Sequence, residues 1–274
     1  MPKTILITGS SSGIGRASAL HFQQKGWNVA ASMRHPEKEA ELSKLDRVFC
    51  PVLDVTDPAS IDSAIARTIE RFGSIDVLLN NAGYAVSGAF EDSNQAQIQR
   101  QFDTNVFGLM QVIRAILPPF RRQGHGTIIN VTSLGGRLSF PFFSLYHATK
   151  WSVEGFSESL QYELRPFNIK VRVIEPGMIK TDFYGRSMEP VQDQSDAGYA
   201  ERAKKLKATT DKIIGFQGDT PDKVAKVIYR AATDRSWKLR YLAAGGAPLL
   251  YFFRRLLPDS LFLNLIRIGS RLDR

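Results

Sequence analysis

Short, uninterrupted apolar runs alternate with amphipathic stretches along most of the chain. The runs cover Thr4 to Thr8, Asn28 to Ser32, Arg47 to Pro51, Val77 to Asn80, Gly126 to Val131 and Lys170 to Glu175, with a last one at Leu239 to Ala244. Runs this short, without polar alternation, predict strands buried on both faces, and helical patterns between them predict parallel pairing through crossovers. The expected fold class is α/β: one doubly wound, Rossmann-type domain over residues 1–274, built on a parallel sheet. Helices are marked by their period and their ends. Pro58 to Phe72 is preceded by the cap oxygens of Thr56 and Asp57 and followed by Gly73. A long helix is expected from about Gln95 to Leu117, ending at Pro118-Pro119, and another from Ser144 to about Arg165, ending at Pro166.

After Gly185 the pattern changes. Met188 to Ala208 is polar, charged and without a strand signal, which predicts a helical substrate flap over about 185–215. From about residue 246 large apolar residues alternate with arginines: Pro248-Leu-Leu-Tyr-Phe-Phe-Arg254-Arg255-Leu-Leu-Pro258, then Leu-Phe-Leu-Asn-Leu-Ile-Arg267. The uncharged run is too short to cross a bilayer as one helix. It predicts a helical extension that either covers the core as a lid or lies on a membrane surface with its arginines near lipid phosphates.

Composition allows a large enzyme core: 43% of the 274 residues are hydrophobic and 23% charged. The net charge of +9 would suit nucleic acid, an anionic membrane or phosphate-bearing ligands. The charges are dispersed, with no basic run or zinc-finger spacing, so nucleic-acid binding is not expected and most lysines read as surface solvation. Cys50, the sole cysteine, excludes an intrachain disulfide and is expected to be a buried thiol in a reducing compartment. Met1-Pro-Lys-Thr leads at once into the first apolar run, which leaves no room for a signal peptide, so a cytoplasmic location is expected. His21, His35 and His125 are too scattered for a metal site.

Thr8-Gly9-Ser10-Ser11-Ser12-Gly13-Ile14-Gly15 follows the first run and opens a helix. Gly9, Gly13 and Gly15 would allow a pyrophosphate to approach the backbone at the helix amino end, with Ser11 and Ser12 adding hydroxyl donors and Ile14 continuing the turn. An acidic residue at the end of the second strand would bind the ribose diol of NAD. Here the strand ends Ser32-Met33-Arg34, and a guanidinium there favours the 2′-phosphate of NADP(H). Tyr146 and Lys150 lie four apart on a helix face, where an ammonium favours a phenolate and lowers the tyrosine pKa toward neutrality. Such a tyrosine can exchange a proton with an alcohol. His147, about 100° around the helix from Tyr146, is expected to face elsewhere and to take no catalytic part.

Together, Thr8-Gly9-x-x-x-Gly13-x-Gly15, Asn80-Asn81-Ala82-Gly83, Ser133, Tyr146-x-x-x-Lys150 and Pro176-Gly177 resemble the classical short-chain dehydrogenase/reductase family in order and interval, over residues 4 to about 181. The resemblance implies about seven parallel strands and a catalytic tetrad at Asn105, Ser133, Tyr146 and Lys150. Ser133, just past a strand, would polarise the substrate carbonyl; Lys150 would also hold the nicotinamide ribose; Asn105 would anchor a water that passes protons to Lys150. By the same resemblance Asn81, Ala82 and Gly83 shape the wall beside the adenine ribose, Asp54 and Val55 read the adenine, and Pro176, Gly177, Ile179 and Thr181 pass the nicotinamide carboxamide.

The long tail and Arg34 resemble the hydroxysteroid and retinol dehydrogenase branch. They imply an NADP(H)-dependent oxidoreductase of a lipophilic carbonyl or alcohol, with Phe140-Pro141-Phe142-Phe143 as substrate wall or core. The alternatives are a reductase of acyl thioesters or small ketones and a non-catalytic NADP-sensing regulator. Family assemblies pair the two long helices, so a homodimer is expected, with a tetramer as the second choice.

Overall fold

The computed structural model describes residues 2–181, 183, 185, 187–191 and 198–270, apart from some side chains within 199–217. Along the chain run β1 (Thr4–Ile7), α1 (Gly13–Gln24), β2 (Asn28–Ala31), β3 (Val48–Phe49), α2 (Pro58–Phe72), β4 (Val77–Asn80) and β5 (Ala85–Ser87). Next come α3 (Gln95–Phe102), α4 (Leu109–Gln123), β6 (Gly126–Val131), α5 (Ser144–Leu164), β7 (Ile169–Pro176) and β8 (Met188–Pro190). The last elements are α6 (Tyr199–Gln217), α7 (Pro221–Thr233), β9 (Arg240–Ala243), α8 (Ala247–Leu256) and α9 (Asp259–Ser270).

Seven strands form one parallel sheet in the order β3-β2-β1-β4-β6-β7-β9. Successive residues of the strands enter different cores, as two-faced burial requires. Ile5, Ile7, Val77, Leu79 and Ile129 pack against Ala19 and Phe22 of α1 and Val224 and Ile228 of α7. Leu6, Leu78 and Ile128, one residue out of phase, pack against Ile61 and Ile65 of α2, Val112 and Ile116 of α4 and Val153 and Leu160 of α5. Strand order reverses at β1, which lies between β2 and β4. A crevice opens there at the carboxyl ends of the strands, where open α/β sheets bind ligands.

Four sequence expectations need correction. First, the helix does not end at Pro118-Pro119: α4 runs through both to Gln123 and closes on Gly124 at φ 72°. Carrying the helix on buries Phe120 completely, and its ring lies so close to Gly126 that a Cβ there would be 2.2 Å away. Burial of that ring contributes about 1.5–3 kcal/mol, which offsets part of the roughly 3 kcal/mol that each interior proline costs. Second, the expected unbroken helix over Gln95 to Leu117 is interrupted by a π-helical turn, Asp103–Gly108. Third, the polar segment from Met188 is not strandless. Its first residues, β8, pair in parallel with β5 as a separate two-stranded sheet, and Glu189 accepts from Gln97 Nε2 at 3.0 Å and Arg100 Nη2 at 2.8 Å. Fourth, Cys50 is half-buried rather than fully buried. Residues 192–197 of the expected flap lie outside the described residues, as do 271–274 of the extension.

The extension forms two helices. Leu134 and Leu138 from the loop after β6 share an apolar cluster with Ala247 and Phe262, flanked by Leu250, Tyr251 and Ile266. The carboxyl end of the sheet is thereby roofed by the final helices.

Candidate active site

A cleft of about 1830 Å³ runs across that edge. One end is the turn between β1 and α1. Gly9 has φ +71°, and a Cβ on it would fall 2.9 Å from Ala82 Cα; one on Gly15 would fall 2.3 Å from the Gly9 carbonyl oxygen. Only glycine permits this closeness. Asn81 Nδ2 donates to the carbonyls of Thr8 and Gly9, both at 3.0 Å, and Thr8 Oγ1 accepts from the Asn81 and Ala82 amides at 3.0 and 3.1 Å. The turn is thus held rigid from behind by the segment after β4. Ser12 is the N-cap of α1, yet its side chain makes no cap bond. Gly13 and Ile14 of the first turn line the cleft, where a phosphate would complete the free N–H groups of a helix amino end.

Beyond α1 the cleft is lined by Arg34, His35, Lys38 and Glu39. Arg34 is exposed and, like Lys38, lacks an ion pair among the described residues. Glu39 is engaged elsewhere: Arg16 Nη1 lies 2.7 Å from its Oε2, and the Glu41 and Leu42 amides donate to its Oε1 at 2.9 and 2.8 Å. Burial pushes the Glu39 pKa up, but the hydrogen bonds from Leu42, Glu41 and Arg16 outweigh this and hold it below the usual range. The acid near this subsite is therefore neutralised while two cations stay available, a balance that suits a phosphate. Lys38 and Glu39 were not singled out from sequence, and His35 was weighed only as a metal ligand, because a loop of exposed charge carries no periodic signal. Asp54 and Val55 line the same end, with Asp54 Oδ1 accepting from Thr56 N and Oγ1 at 2.9 and 2.8 Å.

At the centre lie Ser133, Tyr146 and Lys150. Ser133 follows β6, and its Oγ accepts the Gly135 amide at 3.0 Å. The hydroxyl hydrogen is thereby left for another acceptor. Lys150 is buried; its Nζ donates to the Val131 carbonyl at 2.9 Å and lies 5.7 Å from the Tyr146 ring centroid. Burial pulls the lysine pKa down to about 8, partly opposed by Glu154. Asn105 sits in the π turn just behind the wall, where the extra residue per turn departs from the α-helical ladder. Its Nδ2 donates to Tyr84 O at 2.8 Å and Thr149 Oγ1 at 3.1 Å, and its Oδ1 accepts the Tyr84 amide at 3.1 Å. A Cβ on Gly83 would meet Asn105 Oδ1 at 3.0 Å and Lys150 Nζ at 3.9 Å, so Gly83 is the narrow point joining the two.

His147 does not simply face away. It is buried against the cleft and ties its wall together: Phe140 N donates to Nε2 at 2.9 Å, and Nδ1 lies 2.8 Å from Gly135 O. Nε2 as acceptor requires the neutral, Nδ1-protonated tautomer. Burial lowers the pKa, partly opposed by the Gly135 and Phe140 bonds.

Gly13, Ile14, Pro176, Gly177, Ile179 and Thr181 also line the cleft, while Gly15 packs behind it. Apolar side chains of Phe140, Phe143, Phe183, Met188, Leu249, Leu250, Leu265 and Ile266 also line it, together with Arg100, Asp103 and Glu189. Behind Ser133 stands a charged set that the sequence did not reveal. Thr132 Oγ1 donates to Glu154 Oε1 at 2.7 Å, Arg240 Nε lies 3.0 Å from Glu154 Oε2, and Arg137 Nη1 lies 3.3 Å from Glu175 Oε1. Arg137 also bonds the Tyr251 hydroxyl, its guanidinium 3.9 Å from the ring centroid.

Residues 3–192 match the family model described as short chain dehydrogenase. Among curated relatives, the uncharacterized oxidoreductase YusZ of Bacillus subtilis is 38% identical over 275 residues, covering 97% of each chain. A 3-ketodihydrosphingosine reductase of Bacteroides thetaiotaomicron is 38% identical over 182 residues, 66% of each chain. Among solved structures, a short-chain dehydrogenase from Streptomyces avermitilis superposes with a TM-score of 0.83 at 35% identity, covering 96% of this chain and 94% of that one.

Proposed function

The chain belongs to the short-chain dehydrogenase family, an oxidoreductase family that uses nicotinamide cofactors, and on that premise we propose that it is an NADP(H)-dependent oxidoreductase interconverting a lipophilic carbonyl and its alcohol. The observation that carries the reading is the presence of Ser133, Tyr146 and Lys150 beside apolar side chains in one cleft whose far end holds the cations Arg34 and Lys38, neither in an ion pair among the described residues.

The cofactor would lie across the β1–β4 crevice, with its pyrophosphate on the α1 amino end between Gly9, Ser11, Ser12, Gly13 and Ile14. Arg34 would pair with the 2′-phosphate, Asp54 and Val55 would meet the adenine, and Asn81, Ala82 and Gly83 the ribose wall. Pro176, Gly177, Ile179 and Thr181 would flank the nicotinamide, which supplies or accepts the hydride. In reduction, the Ser133 hydroxyl would hydrogen-bond to the carbonyl oxygen and polarise it, and Tyr146 would pass its phenolic proton to that oxygen as the carbon gains hydride; oxidation reverses the transfer. Lys150, charged below about pH 8, stabilises the tyrosinate left behind. Asn105, by fixing the Tyr84 backbone beside Gly83, positions the path by which Lys150 is resupplied with protons.

The apolar lining, and a relative named for reducing a keto derivative of a sphingoid lipid, support a lipid-like ketone as substrate. Exposed Trp151 and Tyr162 on α5 support a homodimer paired through that helix. The test is NADPH oxidation with a graded series of alkyl ketones: kcat/KM should rise with chain length. Turnover of none of them by wild-type protein would reject the proposal.

A further inference from the structure

Both faces of α8 are apolar, and only one is packed. Ala247, Leu250 and Tyr251, with Leu257 just past the helix end, belong to the cluster beneath the cleft. On the opposite side, at positions i, i+3, i+4 and i+7, Leu249, Phe252, Phe253 and Leu256 face solvent, with Leu249 at 62% and Leu256 at 63% exposure. α9 repeats the arrangement. Phe262 and Ile266 pack inward, while Leu261, Leu265 and Ile268 stand exposed on a stripe of their own, Ile268 at 65%. Helical spacing normally directs such stripes into a core. Here the core already holds the opposite faces, and two apolar stripes remain exposed, the kind of patch that marks an interaction site.

Charge distinguishes the possible occupants. Among the described residues, the exposed charged side chains of α8 and α9 are Arg255, Arg267 and Asp259; Asp259 is paired with Arg254. A second copy related by a twofold axis would bring arginines toward arginines, whereas an anionic lipid surface complements them. Position adds a second argument. Leu249 and Leu265 belong both to the exposed stripes and to the lining of the catalytic cleft, so a surface that covers the stripes lies against the cleft mouth. No helix among the described residues is long and apolar enough to cross a membrane; contact would be lateral.

We propose that α8 and α9 dock on an anionic lipid surface, with Phe252, Leu256 and Ile268 entering the headgroup boundary and Arg255 pairing with phosphates, so that a lipophilic substrate passes from the bilayer into the cleft between Leu249 and Leu265. The proposal rests on the lipophilic-substrate reading of that cleft only for its last step; docking stands apart from it.

The test is flotation of the full chain with phosphatidylcholine vesicles, with and without phosphatidylglycerol, alongside sedimentation velocity and NADPH turnover of a short soluble ketone. Binding should rise roughly tenfold or more with the anionic lipid and weaken in high salt. The variant carrying Phe252→Ser, Leu256→Ser and Ile268→Ser should lose vesicle binding, and Arg255→Glu should lose the anionic preference. Both should turn over the soluble ketone as wild type does, which separates docking from folding and from catalysis. Absent vesicle binding by wild type, or binding retained by the triple variant, would overturn the proposal. A dimer that the triple variant dissociates, with no vesicle binding, would assign the stripes to a second copy and overturn it equally. If no protein turns over any ketone while vesicles still bind, the enzymatic reading fails and the docking surface stands.

Discussion

Lys150 turns its ammonium to the carbonyl of Val131, 2.9 Å away, and so anchors the middle of α5 to the end of the central strand that leads to Ser133. This position carries a stability cost that can be measured. The folded pKa is about 8, against an ordinary value of 10.5. The unfolded chain therefore binds more protons between these two values, and stability rises with pH across that window. Below pH 8 the penalty is fully present, on the order of 3 kcal/mol before the Val131 bond offsets part of it. We expect Lys150→Met to abolish turnover yet unfold at higher denaturant than wild type at pH 7, with the gap closing as pH climbs from 8 to 10.5. A gap independent of pH would contradict the assignment.

Cofactor choice is expected to follow Arg34. Fluorescence titration should show NADPH binding preferred over NADH, and Arg34→Asp should weaken NADPH by roughly ten- to a hundredfold, the worth of a charged hydrogen bond. Lys38→Ala should weaken it less. Equal wild-type affinities would remove Arg34 from this role.

Tyr146→Phe keeps the ring but removes the transferable proton. A loss of roughly 10²–10⁴-fold in kcat is expected, with NADPH affinity nearly unchanged. A parallel collapse of cofactor binding would instead indicate a packing role.

His147 offers a structural test in the same wall. His147→Phe strands the Phe140 amide and the Gly135 carbonyl, at about 1–3 kcal/mol for each unsatisfied group. Denaturation should register that loss, and KM for the ketone should rise as the Phe140 segment loosens. By NMR, the wild-type imidazole should stay neutral and Nδ1-protonated to below the ordinary histidine range.

The strands, the glycine turn and the Tyr146–Lys150 pair were legible because their signals are local: apolar runs, a turn that needs small residues, and a four-residue spacing. The features that escaped depend on partners distant in the chain. Nothing near Asn105 announces a π turn; what holds the side chain is Tyr84 and Thr149. His147 was read by helical angle alone, whereas its role comes from Gly135 and Phe140 folding back over it. Arg137 and Tyr251 are 114 positions apart, and no local pattern links them. Pro118-Pro119 carried the usual stop signal, yet the helix continues through both and buries Phe120 beyond them.

Phe120 and Gly126 occupy a single volume, the ring standing where any side chain at 126 would begin. The two positions therefore form one unit of sequence variation. While an aromatic ring occupies 120, position 126 is closed to every residue but glycine. A smaller residue at 120 leaves a hole that alanine at 126 can partly fill, so Phe120→Leu with Gly126→Ala should cost less than the sum of the two single changes. Among relatives of this chain, the admissible substitutions at these two sites should be found in pairs.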